Sequence, residues 1–363
     1  MSLNDVTPTT PQDDPEREEE EAQELFEHYR FSIDKGQSPL RIDKYLTAHI
    51  EGVSRCRIQA TAEAEYILVN EKAVKSNYIV KPLDQISIVM PYRRRGVEIL
   101  PENIPLNIVY EDEELLVINK PAGLVVHPGH GNYSETLINA LAWHLGIRGK
   151  IEGDERMGLL VHRIDKNTSG LIVVAKTDEA QFGLSKQFFN HTVQRQYIAL
   201  VWGNLTQDQG TIDFPIGRDN HDRTRFKALR TPQNQGVQGR HAVTHYKVME
   251  RLGYVTLLAC CLETGRTHQI RVHLESIGHP LFNDDRYGGN RVRRGALYTK
   301  YKSFVEHCFS IMPRHALHAE TLGFIHPKTK EELLFNAPLP EDFHNVLKRW
   351  QKYVVSDALP SAS

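Results

Sequence analysis

The chain has 363 residues, of which 40% are hydrophobic and 25% charged, and its net charge is −2; this composition excludes a disordered chain and is typical of a soluble globular protein of more than one domain. No apolar run approaches the ~18 residues that a membrane span needs, and the first residues lack the apolar core of a secretory signal. The four cysteines include no pair separated by two residues, so we expect reduced thiols and a cytoplasmic protein without a membrane partner.

Acidic residues are concentrated at the N-terminus. Residues 1–25 contain nine Asp and Glu but one Arg, which leaves 43 Lys and Arg against 37 Asp and Glu in the rest of the chain. This positive excess fits a polyanionic partner, although it is also unremarkable for a chain of this length. We interpret residues 1–38 as an acidic, largely disordered tail, because its first part has almost no apolar residues, and we expect a short helix to begin within residues 18–29.

Residues 39–93 have the pattern of two helices followed by a small sheet. An apolar stripe beginning at Ile42 predicts the first helix, and Ser54 is the predicted N-cap of the second, which covers residues 55–65. Apolar runs that favour strands then alternate with polar turns. The predicted strands are residues 66–69, 73–74 and 86–90.

This pattern resembles the alpha-L RNA-binding module of the ribosomal-protein-S-four kind. The chain departs from that module at Glu71 and Leu83, two positions where the module usually has Gly. The resemblance implies that basic side chains of the module contact RNA. A basic, proline-containing linker, residues 94–107, follows, and its arginine run could equally be a solvated face. The predicted RNA-binding residues in this part of the chain are Arg55, Arg57, Lys72, Arg93, Arg94 and Arg95.

Short apolar runs ended by turn residues dominate residues 108–353. They predict an α+β fold with a mixed, mostly antiparallel central sheet and flanking helices. The predicted strands are residues 115–119, 159–164, 171–175, 197–202, 244–250, 254–262 and 269–274. The predicted helices are residues 136–145, 179–189 and 343–353, with residues 354–363 as a C-terminal tail. The chain lacks the Gly-rich lysine loop of nucleotide-binding proteins, so no nucleotide cofactor is predicted.

The most informative segment is a polar loop, His162 to Gly170, between two predicted strands. Asp165 would lie at the end of the first strand, where a carboxylate on a loop is well placed for chemistry. The composition alone favours an ordinary hairpin turn, since Asp, Asn, Ser and Gly are turn residues.

The order of residues in this loop resembles the signature of the RluA/RluD family of pseudouridine synthases at nine adjacent positions. Asn283 departs from the family pattern, because Gly is usual there. The resemblance covers about residues 39–345 and implies the pseudouridine synthase fold with a catalytic cleft. Further segments that resemble family motifs, in the matching order, are residues 120–128, 195–203, 263–274, 279–289, 317–319 and 326–327.

The resemblance implies an isomerisation within RNA. The uracil N1–C1′ bond breaks, the base turns over in the site, and C5 bonds to C1′. Nothing enters or leaves, so the reaction implies no cofactor. Asp165 is implied as the catalytic carboxylate, which either attacks C1′ or removes a ribose proton, and both roles require its ionised form.

Tyr197 and Arg271 are the other catalytic residues that the resemblance implies. In the predicted strand 269–274, Arg271 would face a polar cleft and pair with Asp165, lowering the pKa of that carboxyl and orienting it. The residues alone also allow an ordinary exposed arginine. Tyr197 is implied to stack on the target base and to assist proton movement at C5, whereas its position alone favours a core tyrosine.

Two further residues of the loop are predicted to contact RNA. Arg163 would fill the gap left by an extruded base or bind phosphate, and His162 would lie beside it. His162, His268 and His273 lack the spacing of a metal site, so no metal is predicted.

The leading hypothesis is a monomeric RNA pseudouridine synthase acting on large-subunit ribosomal RNA, because the alpha-L module is typical of family members with that substrate. A transfer-RNA enzyme of the same family is the alternative. A non-catalytic RNA-binding assembly factor would not need Asp165, Tyr197 and Arg271 together. A glycoside or nucleoside hydrolase commonly needs two carboxylates, whereas one is clearly placed.

Overall fold

The computed structural model describes residues 26–50, 53, 55–63, 65–90, 100–127, 134–146, 160–219, 222, 225–229, 239–295 and 298–358. The chain forms two compact units, the first made mainly of residues up to Leu100 and the second mainly of residues from Pro101 onward. Each unit has a hydrophobic core of its own.

The N-terminal unit is a small antiparallel sheet with two helices. Its elements are β1 (Phe26–Ser32), β2 (Leu40–Arg41), α1 (Ile42–His49), α2 (Arg55–Glu63), β3 (Ile67–Val69), β4 (Lys72–Ala73), β5 (Ile79–Val80) and β6 (Gln85–Met90). Strands β1, β6, β3 and β4 form one sheet in that order, and β2 pairs with β5. Side chains of α1, Ile42 and Leu46, pack with Ile58, Ile67 and Ile86 in the core. Both predicted helices and the three predicted strands are confirmed.

The predicted helix within residues 18–29 is wrong where the structure describes it. Phe26–Ser32 is strand β1, which pairs with β6, and Tyr29 and Phe31 pack against the core two residues apart, as strand periodicity requires. The proposed end of the acidic tail at residue 38 is therefore wrong as well, and residues 1–25 lie outside the described residues.

Glu71 and Leu83, which replace the usual glycines of the alpha-L pattern, both have the left-handed backbone conformation that glycine favours. Glu71 has a φ of 67° in the turn between β3 and β4, and Leu83 has a φ of 70°. Both lie in the left-handed region, which L-residues with a side chain adopt at a cost. Asp84 compensates nearby, because its carboxylate accepts hydrogen bonds from Asn70, Tyr78 and the Lys81 amide.

A nine-stranded sheet forms the centre of the second unit. Its elements are β7 (Ile108–Glu111), β8 (Leu115–Lys120), α3 (Leu137–His144), β9 (Ser169–Ala175), α4 (Asp178–Phe189), β10 (Gln194–Trp202), β11 (Gln209–Asp213), β12 (Ile216–Arg218), β13 (Phe226–Ala228), β14 (Val243–Leu252), β15 (Val255–Leu262), α5 (Gln269–Ser276), α6 (Thr299–Ile311), β16 (Leu317–Ile325), β17 (Glu332–Asn336) and α7 (Glu341–Ala358). The strand order is β11-β14-β15-β10-β16-β9-β8-β7, with β17 on β16. Every described pairing is antiparallel except that of β16 with β9, so the predicted mixed, mostly antiparallel sheet is confirmed.

Strand β10 is central because its side chains alternate between two apolar layers. Ile198, Leu200 and Trp202 pack against helices α6 and α7 on one face. Tyr197 and Ala199 point to the other face, where Ile270 of α5 packs. The period of two residues thus directs Tyr197 towards the helix that carries Arg271.

Three predicted elements in this unit differ from the structure in their type or in their bounds. Residues 269–274 form helix α5 rather than a strand, because Ile270 and Leu274, one helical turn apart, both pack beneath β10. In the described part of the predicted strand 159–164, Leu160 forms an isolated bridge with Val174 and the residues after it form a loop. Helix α7 continues to Ala358, past the predicted start of the tail. The elements of this unit that the sequence did not predict are helix α6 and strands β7, β11, β12, β13, β16 and β17.

Candidate active site

The loop that carries Asp165 is anchored from below by a buried lysine. The ammonium group of Lys120 donates hydrogen bonds to the carbonyl oxygens of Pro121 (2.8 Å), Leu124 (2.9 Å) and Lys166 (3.0 Å). Burial lowers the pKa of Lys120 to about 7. The side chain therefore ties the chain after β8 to the residue that follows Asp165.

The far side of the same loop is fastened to β16. Thr168 and Ser169 hydrogen-bond to His315 and His318, each at 2.9 Å. Gly170 has a φ of 113°, and a Cβ there would collide with the backbone carbonyl oxygen of Ala319, so the close approach of β9 to β16 requires glycine. Side-chain hydrogen bonds and a close backbone contact therefore hold the loop where it enters β9.

Arg271 links Asp165 to a second carboxylate. Its Nη1 donates to Oδ2 of Asp165 at 2.9 Å, while its Nε and Nη2 donate to the two oxygens of Asp284 at 2.8 and 3.0 Å. The ring of Tyr287 lies 5.0 Å from the guanidinium carbon. The predicted contact between Arg271 and Asp165 is present, but the two-bonded fork holds Asp284 and a single hydrogen bond reaches Asp165.

The sequence reasoning missed Asp284 as a site residue. Its side chain is fully buried and also accepts hydrogen bonds from the Arg286 and Tyr287 amides. Asn283, directly before it, has a φ of 57°, which explains why a glycine is usual at this position. That left-handed turn directs the Asp284 carboxylate at Arg271, and the departure at Asn283 was the available signal.

Asp165 is held in its ionised form. Burial raises the pKa of Asp165, but the interactions of its carboxylate with His268 and Arg271 outweigh burial and hold that pKa well below its ordinary value. The Nε2 of His268 lies 3.9 Å from Oδ2 of Asp165, yet burial lowers the pKa of His268 to about 4. His268 is therefore neutral at pH 7, and at that pH the ionisation of Asp165 depends on Arg271.

The site contains a cavity of about 500 Å³, a volume typical of a ligand pocket. Asp165, Tyr197 and Arg271 all line it. Tyr197 is 8% exposed, and burial raises the pKa of its hydroxyl, so the phenol is protonated at neutral pH. The structure thus brings the three predicted catalytic residues together.

The two loop residues predicted to bind RNA differ in their surroundings. Arg163 is exposed at the wall of the cavity. His162 also lines the cavity, but its Nε2 accepts a hydrogen bond from the Val173 amide and its ring stacks on Phe188 at 4.5 Å. Burial lowers the pKa of His162 to about 3, so its ring is neutral and positions the loop against β9.

The predicted RNA-binding residues of the N-terminal unit that the structure describes have different surroundings. Arg55 donates to the buried carboxylate of Asp43 at 2.9 Å, beside Arg41 and Gln59, and therefore has a role within the fold. Lys72 is exposed. The side chain of Arg57 and the whole of Arg93, Arg94 and Arg95 lie outside the described residues.

Two further observations on the described residues concern metal sites and membrane-spanning helices. Within the described ranges, no three His, Cys, Asp or Glu side chains are grouped as metal ligands. Among the helices of the described residues, none combines the length and the apolar character that crossing a membrane requires.

Comparison with known proteins places this site in a family. The family model for RNA pseudouridylate synthase matches residues 114–276, which include Asp165, Tyr197 and Arg271. The chain is 45% identical to an uncharacterized RNA pseudouridine synthase of Chlorobaculum parvum, over 87% of this chain and 96% of that protein. It is 41% identical to ribosomal large subunit pseudouridine synthase D of Zymomonas mobilis, over 85% and 93% of the two chains.

A solved structure shares the architecture. Human RNA pseudouridylate synthase domain containing 4 superposes with a TM-score of 0.50 at 27% identity, covering 68% of this chain and 93% of that one. The expected α+β pseudouridine synthase fold is confirmed for the second unit. The sequence relatives, the matched family model and the shared fold agree, and the chain belongs to the RluA/RluD family of RNA pseudouridine synthases, isomerases that convert uridine to pseudouridine.

Proposed function

We propose that this enzyme isomerises uridine in large-subunit ribosomal RNA, with Asp165 as its catalytic carboxylate. The observation that carries the proposal is the hydrogen bond between Arg271 and Asp165 at the wall of a cavity of nucleotide size. The choice of RNA follows the relative in Zymomonas mobilis, whose name states that substrate.

Asp165 acts on the ribose of a uridine that leaves the base stack and enters the cavity. As a carboxylate it either attacks C1′ or removes a ribose proton. In both routes the N1–C1′ electron pair leaves with the base. After the base turns over, C5 bonds to C1′ as the Asp165–C1′ bond breaks or as Asp165 returns the proton to the ribose. The C5 proton is then lost and N1 gains a proton. The atoms of the product equal those of the substrate, so the reaction requires no cofactor.

Arg271 and Tyr197 complete the proposed machinery. Arg271, fixed by Asp284, keeps Asp165 ionised and aimed into the cavity. Tyr197 offers an aromatic face to the base and a protonated hydroxyl beside it, which suits both stacking and proton movement at C5. Arg163, exposed at the rim, fills the gap in the RNA stack or binds phosphate.

The N-terminal unit serves as an alpha-L RNA-binding domain in this proposal. Two helices against a small antiparallel sheet, the left-handed backbone at Glu71 and Leu83, and an exposed Lys72 support it. The catalytic domain in this proposal is the second unit, which begins at about Pro101 and runs through α7. The monomeric state of the enzyme and its cytoplasmic location stay predictions.

A non-catalytic assembly factor explains the site less well. A buried arginine shared by two carboxylates is costly to assemble, because all three groups lose water. Binding RNA alone needs positive charge at the surface, and it does not need Asp165 and Asp284 joined through Arg271.

The test is pseudouridine mapping of total RNA from cells with and without the gene, complemented by wild type or by Asp165→Asn. One or more pseudouridines of large-subunit ribosomal RNA should disappear and return with wild type only. Loss confined to transfer RNA would contradict the proposed substrate, and an unchanged map would contradict the proposed reaction.

A further inference from the structure

Arg195 is a buried arginine that lacks a carboxylate partner. It lies on β10, is 8% exposed, and lines the cavity. Its Nη2 donates to the carbonyl oxygen of Glu263 at 3.2 Å, whereas its buried Nε has no hydrogen-bond partner. In the part of the chain that the structure describes, no acidic side chain lies within 4 Å of its guanidinium.

The other buried arginines of the described residues differ in this respect. Arg271 forms ion pairs with Asp165 and Asp284, and Arg314 forms one with Asp342 at 2.6 Å. A buried charge normally requires such a partner, since the loss of hydration is otherwise uncompensated. A guanidinium also stays charged at neutral pH. The surroundings of Arg195 are therefore unfavourable in the free protein.

The fold nevertheless holds Arg195 in one place. The Phe188 ring, itself stacked on His162, lies 5.4 Å from the guanidinium carbon. Gly265 leaves room on the other side, because a Cβ there would come within 2.9 Å of Nη1. The aromatic face offsets part of the cost but supplies no anion. Residues from three separate segments thus position a cation whose counter-charge is missing.

The position of Arg195 indicates where that counter-charge comes from. Arg195 and Tyr197 are two residues apart on β10, so they project from the same face of the sheet into the cavity that contains Asp165. A ligand that occupies this cavity can therefore contact the Arg195 side chain. Among the parts of an RNA nucleotide, only oxygen and nitrogen acceptors can pair with a guanidinium, and the phosphate and carbonyl oxygens are the strongest of these.

We propose that Arg195 is a substrate-binding residue, whose guanidinium donates hydrogen bonds to an acceptor oxygen of the target nucleotide. This inference rests on the proposed function, because it takes RNA as the occupant of the cavity. Two oxygens carry the required chemistry: a phosphate oxygen next to the target uridine, and a carbonyl oxygen of the uracil. The uracil oxygen becomes negative when the N1–C1′ electron pair leaves with the base, and it loses that charge when C5 bonds to C1′.

The first experiment uses the full chain with Arg195→Met, which keeps most of the side-chain volume and removes the charge. A ribosomal RNA fragment containing the mapped uridine is the substrate, and the readouts are kcat/KM, single-turnover rate, RNA affinity and thermal melting. We expect kcat/KM to fall roughly tenfold to a hundredfold, as for loss of a charged hydrogen bond. We expect melting at or above the wild-type temperature, because an uncompensated buried charge is gone. Arg195→Lys should recover part of the activity.

A merely structural role would give the opposite result. A lower melting temperature for Arg195→Met with an unchanged kcat/KM of the folded protein would overturn the proposal. The control is Arg251→Met, which removes an arginine paired with Asp208 outside the cavity and should leave the reaction unchanged. If wild type itself forms no pseudouridine in the fragment, the proposed function fails rather than the role of Arg195.

The second experiment identifies the oxygen. RNA with an uncharged methylphosphonate beside the target uridine, or with a thiocarbonyl in the uracil, is compared for wild type and Arg195→Met. The modification that removes the natural partner should slow wild type but not the variant, because the variant has no guanidinium to bind that oxygen. A phosphate partner should appear in RNA affinity and its salt dependence, and a uracil partner in the single-turnover rate. Equal penalties in both proteins for both modifications would overturn the proposal.

Discussion

Arg271 gives two hydrogen bonds to Asp284 and one to Asp165. The pair with Asp284 fixes the guanidinium plane inside the protein, where Asp284 is also held by two backbone amides. The direction of Nη1 is then fixed, and Oδ2 of Asp165 accepts its hydrogen bond. Asp284 is therefore a positioning residue that acts on Asp165 through Arg271.

Replacing the proposed catalytic carboxylate should abolish the reaction without unfolding the protein. Asp165→Asn keeps the side-chain shape and an oxygen that Arg271 can bind, but it removes the charge on which both possible roles depend. We expect no measurable pseudouridine and an RNA affinity close to wild type. A single-turnover rate within tenfold of wild type would show that Asp165 is not the catalytic group.

Replacing the buried partner should test positioning. Asp284→Asn breaks the paired charges around Arg271, and breaking a buried pair typically lowers the free energy of unfolding by about 3 kcal/mol. The guanidinium can then tilt, and misplacement of a catalytic group by about 1 Å costs around a hundredfold in rate. Urea unfolding and single-turnover kinetics measure the two effects. A destabilised variant with wild-type turnover in its folded fraction would limit Asp284 to folding.

The secondary structure around Tyr197 was predicted correctly from the sequence, and the secondary structure around Arg271 was not. The strand of Tyr197 follows from a run of β-favouring residues, and the structure confirms it. The helix of Arg271 was predicted as a strand, since apolar residues at positions 270, 272 and 274 alternate as in a strand, although 270 and 274 also fit one helical turn. Packing against β10, a contact distant in sequence, decides between them. The pairing with Asp165 came from family resemblance and does not depend on the wrong element.

Contacts between distant segments explain what the sequence could not predict. Asp284 reaches Arg271 because Asn283 adopts a left-handed backbone; the departure at Asn283 marks this turn but does not tell which distant side chain the Asp284 carboxylate contacts. The burial of Arg195 depends on Phe188 and Gly265, which lie on different elements. Strand β1 was not predicted because it directly follows an acidic segment with the composition of a disordered chain, and its partner β6 is distant in sequence.

The pH dependence of the reaction should show how Asp165 stays ionised. His268 and Arg271 keep the pKa of Asp165 below its ordinary value, so the wild-type rate should stay constant on acidification until below about pH 4. Arg271→Ala removes one of the groups that oppose burial, so that pKa rises. The rate should then fall at higher pH, because the carboxylate gains its proton sooner. Single-turnover rates between about pH 4 and 8 decide the question, with melting as the control for folding. An acidic limb at the same pH in both proteins would assign the ionisation to another group.

The exposed lysines of the N-terminal unit should contribute to RNA affinity rather than to chemistry. Lys72, Lys75 and Lys81 are exposed on or beside its small sheet. Changing all three to Gln should weaken binding to structured ribosomal RNA and reduce the slope of log affinity against log salt, by up to about 0.9 for each phosphate that is no longer neutralised. The rate with bound RNA should not change.

The matched control changes three exposed lysines of α6 and α7 to Gln: Lys300, Lys302 and Lys348. An equal decrease of affinity and salt slope in both triple variants would mean that the N-terminal lysines contribute only net charge.

Lysine should not replace Arg271, although it conserves the charge. The guanidinium binds two carboxylates in different directions at once, through Nε and Nη2 on one side and Nη1 on the other. An ammonium is one point of charge on a flexible stem, so Arg271→Lys can approach Asp284 or Asp165 but cannot hold both in place. Asp284 is the more buried of the two carboxylates, and we expect the ammonium to stay with it.

Asp165 in Arg271→Lys therefore keeps a nearby positive charge but loses its direct hydrogen bond. Its pKa should stay below the ordinary value, so the acidic limb of the rate should move less than in Arg271→Ala. The rate itself should fall by around a hundredfold, because the carboxylate is no longer aimed. RNA affinity should change little. The measurements are single-turnover rates against pH, RNA binding and thermal melting on the same preparations. Turnover near wild type would show that charge alone, and not the direction of the Nη1 hydrogen bond, is what Arg271 provides.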